Sequence, residues 1–137
     1  MSAATLRSVN ESLRDELARL RVLADSPPTN RRQTDDLRAF CAAYCDTLLA
    51  QQAFKRSQLY QVLAAGQEFR PVVERLSGHH GLIAFQLGRI RQAAAALQRD
   101  GQATGDLRQS LTELSALLED HLSDEENHLL SGDDLVD

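Results

Sequence analysis

The sequence predicts an all-α protein, an up-down-up-down four-helix bundle, and three observations predict it. Apolar residues recur in steps of three and four along four long segments, the spacing of one helix face. Short stretches rich in Pro, Gly, Asn and Asp separate those segments, and such residues end helices. Leu and Ala supply most of the 42% hydrophobic content, with only 4% aromatics and no Trp, a composition that suits helices. A chain of 137 residues fits one domain with a sizeable core. That domain is expected to span 1–137, with an acidic tail over 133–137.

The first helix is predicted over residues 3–24, on a stripe of Leu6, Val9, Leu13, Leu17 and Leu20. Asn10 falls beside Val9 and also faces inward. Asp25-Ser26-Pro27-Pro28-Thr29-Asn30 is the first break, because Pro-Pro cannot continue a helix. The second helix, over about 32–65, carries Leu37, Cys41, Tyr44, Leu48, Gln51, Lys55, Leu59 and Val62 on its stripe. Two consecutive stripe positions there are polar. A lysine near a helix end snorkels to solvent, but Lys55 has two more apolar layers beyond it. Gly66 supplies the C-terminal stop.

The third helix starts with Pro71 in its first turn. Its stripe is Val72 or Val73, then Leu76, His80, Ile83, Leu87, Ile90, Ala94 and Leu97, with His79 mostly outside it. The loop Arg99-Asp100-Gly101-Gln102-Ala103-Thr104-Gly105 leads to the fourth helix, expected over 106–130 and stopping at Gly132. Its stripe arrives through Leu107, Leu111, Leu114 and Leu118, and its next two positions are His121 and Glu125.

A net charge of −5 without a basic run argues against nonspecific nucleic-acid binding. No apolar run is long enough to span a bilayer, and the N-terminus lacks the apolar segment of a signal peptide. The expectation is a cytoplasmic protein that binds neither nucleic acid nor membrane, its oligomeric state left open. Cys41 and Cys45, spaced i,i+4, read as small apolar core residues. Zinc would need two more ligands than they offer.

Every helix thus carries a polar interruption on its inward stripe: Asn10, Gln51 with Lys55, His80, and His121 with Glu125. Burying such groups without partners is costly. A bundle core is also where this architecture builds ligand and metal sites. His128 is expected to be partly exposed in a structural role, and Glu119, Asp124 and Glu126 read as solvated surface.

The pattern resembles the hemerythrin-like, or HHE cation-binding, domain over nearly the whole chain. His121-Leu122-Ser123-Asp124-Glu125-Glu126 is similar to that family's H-x-x-x-E-E run. The stretch from Arg75 to Ile83 is similar to R-L-x-x-x-H-x-x-I, with His80 at the ligand position. Val9-Asn10-Glu11-Ser12-Leu13-Arg14-Asp15-Glu16-Leu17 resembles V-H-x-x-L-R-x-E-L, and the stretch from Gln58 to Leu63 resembles the segment that follows the family's second-helix H-x-x-x-E. The resemblance implies a bundle with a di-iron centre that binds or senses oxygen or stores iron. Against that pattern, Asn10 replaces the first-helix His, and Gln51 and Lys55 replace the second-helix His and Glu. Gln52 and Arg56 stand at neighbouring His and acidic positions. An ammonium in place of a bridging carboxylate repels metal and removes a ligand together, so the expectation is no di-iron centre.

Three readings compete for the remaining cluster. The favoured one is a small-molecule pocket that works without a cofactor, leaning to acid–base catalysis on a small organic molecule. Its catalytic set would be His121, Glu125, Lys55 and His80, with Glu125 or His121 as proton acceptor. Gln51, Asn10, Gln52 and Tyr44 would bind the ligand. The rationale is that the replacements are polar, whereas a decayed core should drift toward Leu and Ala. The second reading is a structural or interaction module with a dead metal site and a Lys55–Glu125 pair. The third is one iron or zinc held by His80, His121 and Glu125.

Overall fold

Side-chain capping sets two of the helix starts. In the computed structural model, which describes residues 1–97 and 104–129, the Ser2 hydroxyl accepts from the Thr5 backbone N–H at 3.1 Å and opens α1 (Ala3–Asp25). Asn30 likewise accepts from the Gln33 N–H at 2.9 Å and opens α2 (Arg31–Lys55). Each cap satisfies a donor that the first helical turn leaves without a partner. The backbone then runs through one π-helical turn, Arg56–Tyr60, into α3 (Gln61–Ala64), so these pieces form one rod. Pro71 sits in the first turn of α4 (Arg70–Ala96), where its missing N–H costs nothing. The last helix, α5 (Thr104–Leu129), begins inside the stretch that the sequence assigns to the loop. Leu130, the Gly132 stop and the tail 133–137 lie outside the described residues.

α1 packs on α2 and α5, and α4 packs on the same two neighbours. The four rods therefore close a ring, the four-helix bundle that the stripes predict. Among the described residues no helix is long and apolar enough to cross a membrane.

The core is divided into two apolar clusters. The larger runs from Leu13, Leu17 and Leu20 of α1 through Leu37, Cys41 and Leu48 of α2 to Ile83, Leu87, Leu111, Leu118 and Leu122. The smaller holds Leu6, Leu59, Tyr60, Val73, Leu76 and Leu129. Asn10, Lys55, His80 and Glu125 are buried between the two sets on their helices, and His121 is buried at the edge of the larger set, between Leu118 and Leu122. The polar positions thus form a layer across the bundle. The cysteines sit inside the larger cluster as free thiols. Burial pushes the Cys41 thiol up to about 12, so it stays protonated and packs as an apolar side chain.

One stripe assignment is wrong. Val62, expected in the core, is 68% exposed. The π-turn is the reason. The Gln61 N–H reaches back five residues to the Arg56 carbonyl, which inserts one extra residue into the helical repeat. The inward face past Lys55 is then taken by Leu59 and Tyr60, both buried, and Val62 is turned to solvent.

Leu111→Ala should lower unfolding free energy by about 2–5 kcal/mol, as large-to-small changes in a packed core do. Val62→Ala should stay within about 0.5 kcal/mol of the parent chain. Urea unfolding of both variants checks the two faces and the register shift together.

Candidate functional site

The polar layer is built around one carboxylate. Glu125 of α5 is fully buried at 0% exposure, and Lys55 of α2 is 2% exposed. The Lys55 Nζ donates to Glu125 Oε1 at 2.9 Å and to Asn10 Oδ1 at 2.6 Å. The Asn10 Nδ2 donates to Glu125 Oε1 at 2.9 Å and to Glu126 Oε2 at 3.2 Å. The Tyr60 hydroxyl donates to the other oxygen, Glu125 Oε2. Three helical rods thereby meet on one side chain, and both carboxylate oxygens are engaged. Burial pulls the Lys55 ammonium below its usual range, and the charge of Glu125 opposes that shift. Burial, reinforced by the same carboxylate, pushes the Tyr60 hydroxyl well above its ordinary value, so it remains a donor.

A second tier of contacts ties the layer to the surface. Arg14 grips Glu126 through Nη1 and Nη2 at 2.9 and 2.8 Å, and its Nε reaches Glu119 at 2.8 Å. Arg75 makes a bidentate pair with Asp124 at 2.8 and 2.7 Å. Glu119, Asp124 and Glu126, expected as solvated surface, are therefore paired with arginines from α1 and α4. Each guanidinium matches a carboxylate brought beside it by the helix packing.

The two core histidines lie next to this pair. His80 and His121 are 4% and 2% exposed, with ring centroids 4.9 Å apart. His80 Nδ1 sits 3.0 Å from Arg56 Nη1, and His121 Nδ1 sits 3.2 Å from His79 Nδ1. The Nε2 atoms of both rings are buried without a hydrogen-bond partner among the described residues, as are Gln52 Nε2 and Gln51 Oε1. Glu125 Oε2 lies 3.9 Å from His121 Nε2, beyond hydrogen-bond reach. Burial holds each imidazole down at about 3. The other ring and Arg56 add to this at His80, and Lys55 adds to it at His121. Both are therefore neutral near pH 7.

The structure brings His80, His121, Glu125, Lys55 and Asn10 together, as their stripe positions predict. Gln51 is half-buried, and its neighbour Gln52 is the more buried amide, at 4%. Tyr44 stands apart from the layer. Its hydroxyl donates to the Leu13 carbonyl at 2.9 Å, and its ring lines a surface cleft of about 450 Å³ beside Leu20, Leu23 and Phe40. His79, placed mostly outside by its spacing, is half-buried and touches His121. His128 is exposed and bonds back to Asp124, a local helix contact. Sequence reasoning missed Tyr60 and Arg56 as partners of the core groups. The Leu59-Tyr60 doublet was the available signal, because a regular stripe leaves the second residue of such a pair unassigned.

A scan against protein families matches the chain to the hemerythrin HHE cation-binding domain over residues 1–131. No curated protein and no solved structure matches it. The residues present do not fit a two-metal centre. Among the described residues no group of three or more His, Cys, Asp or Glu side chains is arranged to hold a metal ion. Glu125, whose Oε2 lies 3.9 Å from His121 Nε2, already accepts from Lys55, Asn10 and Tyr60. A ligand histidine commonly donates its other N–H to an acceptor, whereas the Nδ1 of His80 faces a guanidinium, which can only donate.

Removing one member of the pair should cost more than removing both. Glu125→Leu leaves a buried ammonium without its counter-ion and should destabilise by about 3–5 kcal/mol. Lys55→Leu combined with Glu125→Leu should recover more than half of that loss in a denaturant titration. The histidines set a pH dependence. Because their folded values lie near 3 against an ordinary 6.5, the unfolded chain binds more protons between those limits. Their contribution is complete above 6.5 and is lost as pH falls through that window. The melting temperature should drop from about pH 7 to about pH 5, and less in the double variant His80→Gln with His121→Gln.

Proposed function

This chain belongs to the hemerythrin HHE cation-binding family, and from that premise we propose that its polar core binds a small organic molecule without a metal, Lys55 supplying the internal positive charge. The observation that carries this reading is the set of four unpartnered buried polar atoms on His80, His121, Gln51 and Gln52. A buried polar atom without a partner costs on the order of 1–3 kcal/mol, and a bound molecule that pairs with several of them offsets that cost. The ion pair beside them is complete, so it keeps the layer closed without drawing on these four atoms.

The groups suit binding better than proton transfer. A general base works best with a pKa near the working pH, and burial holds His80 and His121 near 3. Glu125 is tied into the core network, accepting from Lys55, Asn10 and Tyr60. A structural module is the second reading, favoured by the closure of that same network. A single iron or zinc on His80, His121 and Glu125 is the third, and the Lys55 contact to Glu125 weighs against it.

A thermal-shift screen with small organic acids, amides and sugars, run beside Zn(II) and Fe(II), tests the proposal. At least one organic compound should raise the melting temperature of the parent chain and fail to raise that of Gln52→Leu. The metals should leave both unchanged. Stoichiometric metal in the purified protein would move the assignment to the third reading. Silence throughout the screen, with a Lys55→Leu, Glu125→Leu double variant that keeps its biological role, would move it to the second.

A further inference from the structure

The contact between Arg56 and His80 decides which chemistry the core histidine offers. A guanidinium carries only donors. At 3.0 Å from Arg56 Nη1, His80 Nδ1 is therefore the acceptor, and a neutral ring that accepts at Nδ1 carries its hydrogen on Nε2. That Nε2 is the buried atom without a partner. His80 thus points an N–H donor into the layer, with no lone pair there for a cation.

Gln52 adds a second unpartnered donor through Nε2, and it lies on α2 one turn before Arg56. Among the described residues Arg56 makes no ion pair, whereas Lys55, its neighbour, is neutralised by Glu125. The unmatched charge beside the unpartnered donors is therefore positive. Resting on the reading that the core binds a small molecule, we propose that Arg56 fixes His80 as a hydrogen-bond donor and that the molecule bound there is a small oxyanion held through His80 and Gln52. Arg56 acts as a positioning residue: it sets the tautomer of the ring, and the ring and the Gln52 amide touch the ligand. A carboxylate in its place would accept from Nδ1, move the hydrogen there and expose the Nε2 lone pair.

Nitrogen-15 NMR of the full chain tests this, with acetate as the oxyanion probe and acetamide as its uncharged counterpart. Arg56 is exposed, so its variants should fold as the parent does. His80 should carry its hydrogen on Nε2, and acetate should shift the His80 Nε2 and Gln52 side-chain signals to saturation. Arg56→Lys, which keeps a donor, should preserve both results. Arg56→Glu should move the hydrogen to Nδ1 and weaken acetate binding about tenfold or more, the scale of one lost charge-assisted hydrogen bond. Hydrogen on Nδ1 in the parent chain, an unchanged tautomer in Arg56→Glu, or undiminished acetate binding by that variant would each overturn the assignment. A response to acetamide without one to acetate overturns the oxyanion alone. Core signals unmoved by either compound overturn the small-molecule reading beneath it.

Discussion

The Lys55–Glu125 contact is the constraint on which the rest of the polar layer depends. Two charges removed from water repay their desolvation only when good geometry and further hydrogen bonds satisfy them. The bundle meets that condition from three rods: Asn10 from α1 bridges both charges, and Tyr60 from the π-turn closes the remaining oxygen. Tyr60 arrives there only because the helix widens by one residue after Lys55. A distortion of the backbone and a buried charge are thus parts of one arrangement. π-bulges recur where a helix must present a side chain that the regular repeat would turn away.

The layer also shapes the apolar core. It separates the large cluster of Leu, Ile and Cys residues from the smaller one around Leu6, Leu76 and Leu129. Leucine packing alone is tolerant of small slips between helices. A donor that must meet one oxygen at 2.9 Å is not. The polar contacts therefore fix the relative height of α1, α2 and α5, while the leucines on either side supply most of the burial energy.

In a family defined by cation binding, this chain carries its own cation on Lys55, and the partner of His80 is a donor. Arg56 donates where an acceptor would suit a ligand ring, and both imidazoles are kept neutral by burial. The two consecutive residues Lys55 and Arg56 thus set the electrostatics of the layer from opposite sides. One neutralises the carboxylate, and the other directs the ring of His80. Four polar atoms of the layer, on Gln51, Gln52, His80 and His121, are left outside this network.

The amino-acid sequence by itself determined the bundle and the position of its polar layer. Stripes of Leu at helical spacing, ended by Pro27, Pro28 and Gly66, dictate where helices run. The interruption of each stripe marks where Asn10, Lys55, His80, His121 and Glu125 meet. This much is legible because burial follows a repeat of 3.6 residues, and a repeat is a property of sequence. The repeat broke down where the backbone departed from it. At the π-turn Tyr60 takes an inward place and Val62 turns to solvent, because the stripe assumes a uniform helix and the backbone there is not one. Partners were decided only by the tertiary structure. Arg14 with Glu126, Arg75 with Asp124 and Arg56 with His80 join residues far apart in the chain. Which donor meets which acceptor depends on the rotation and height of whole helices against one another, and those are set by the packing of all the rods at once.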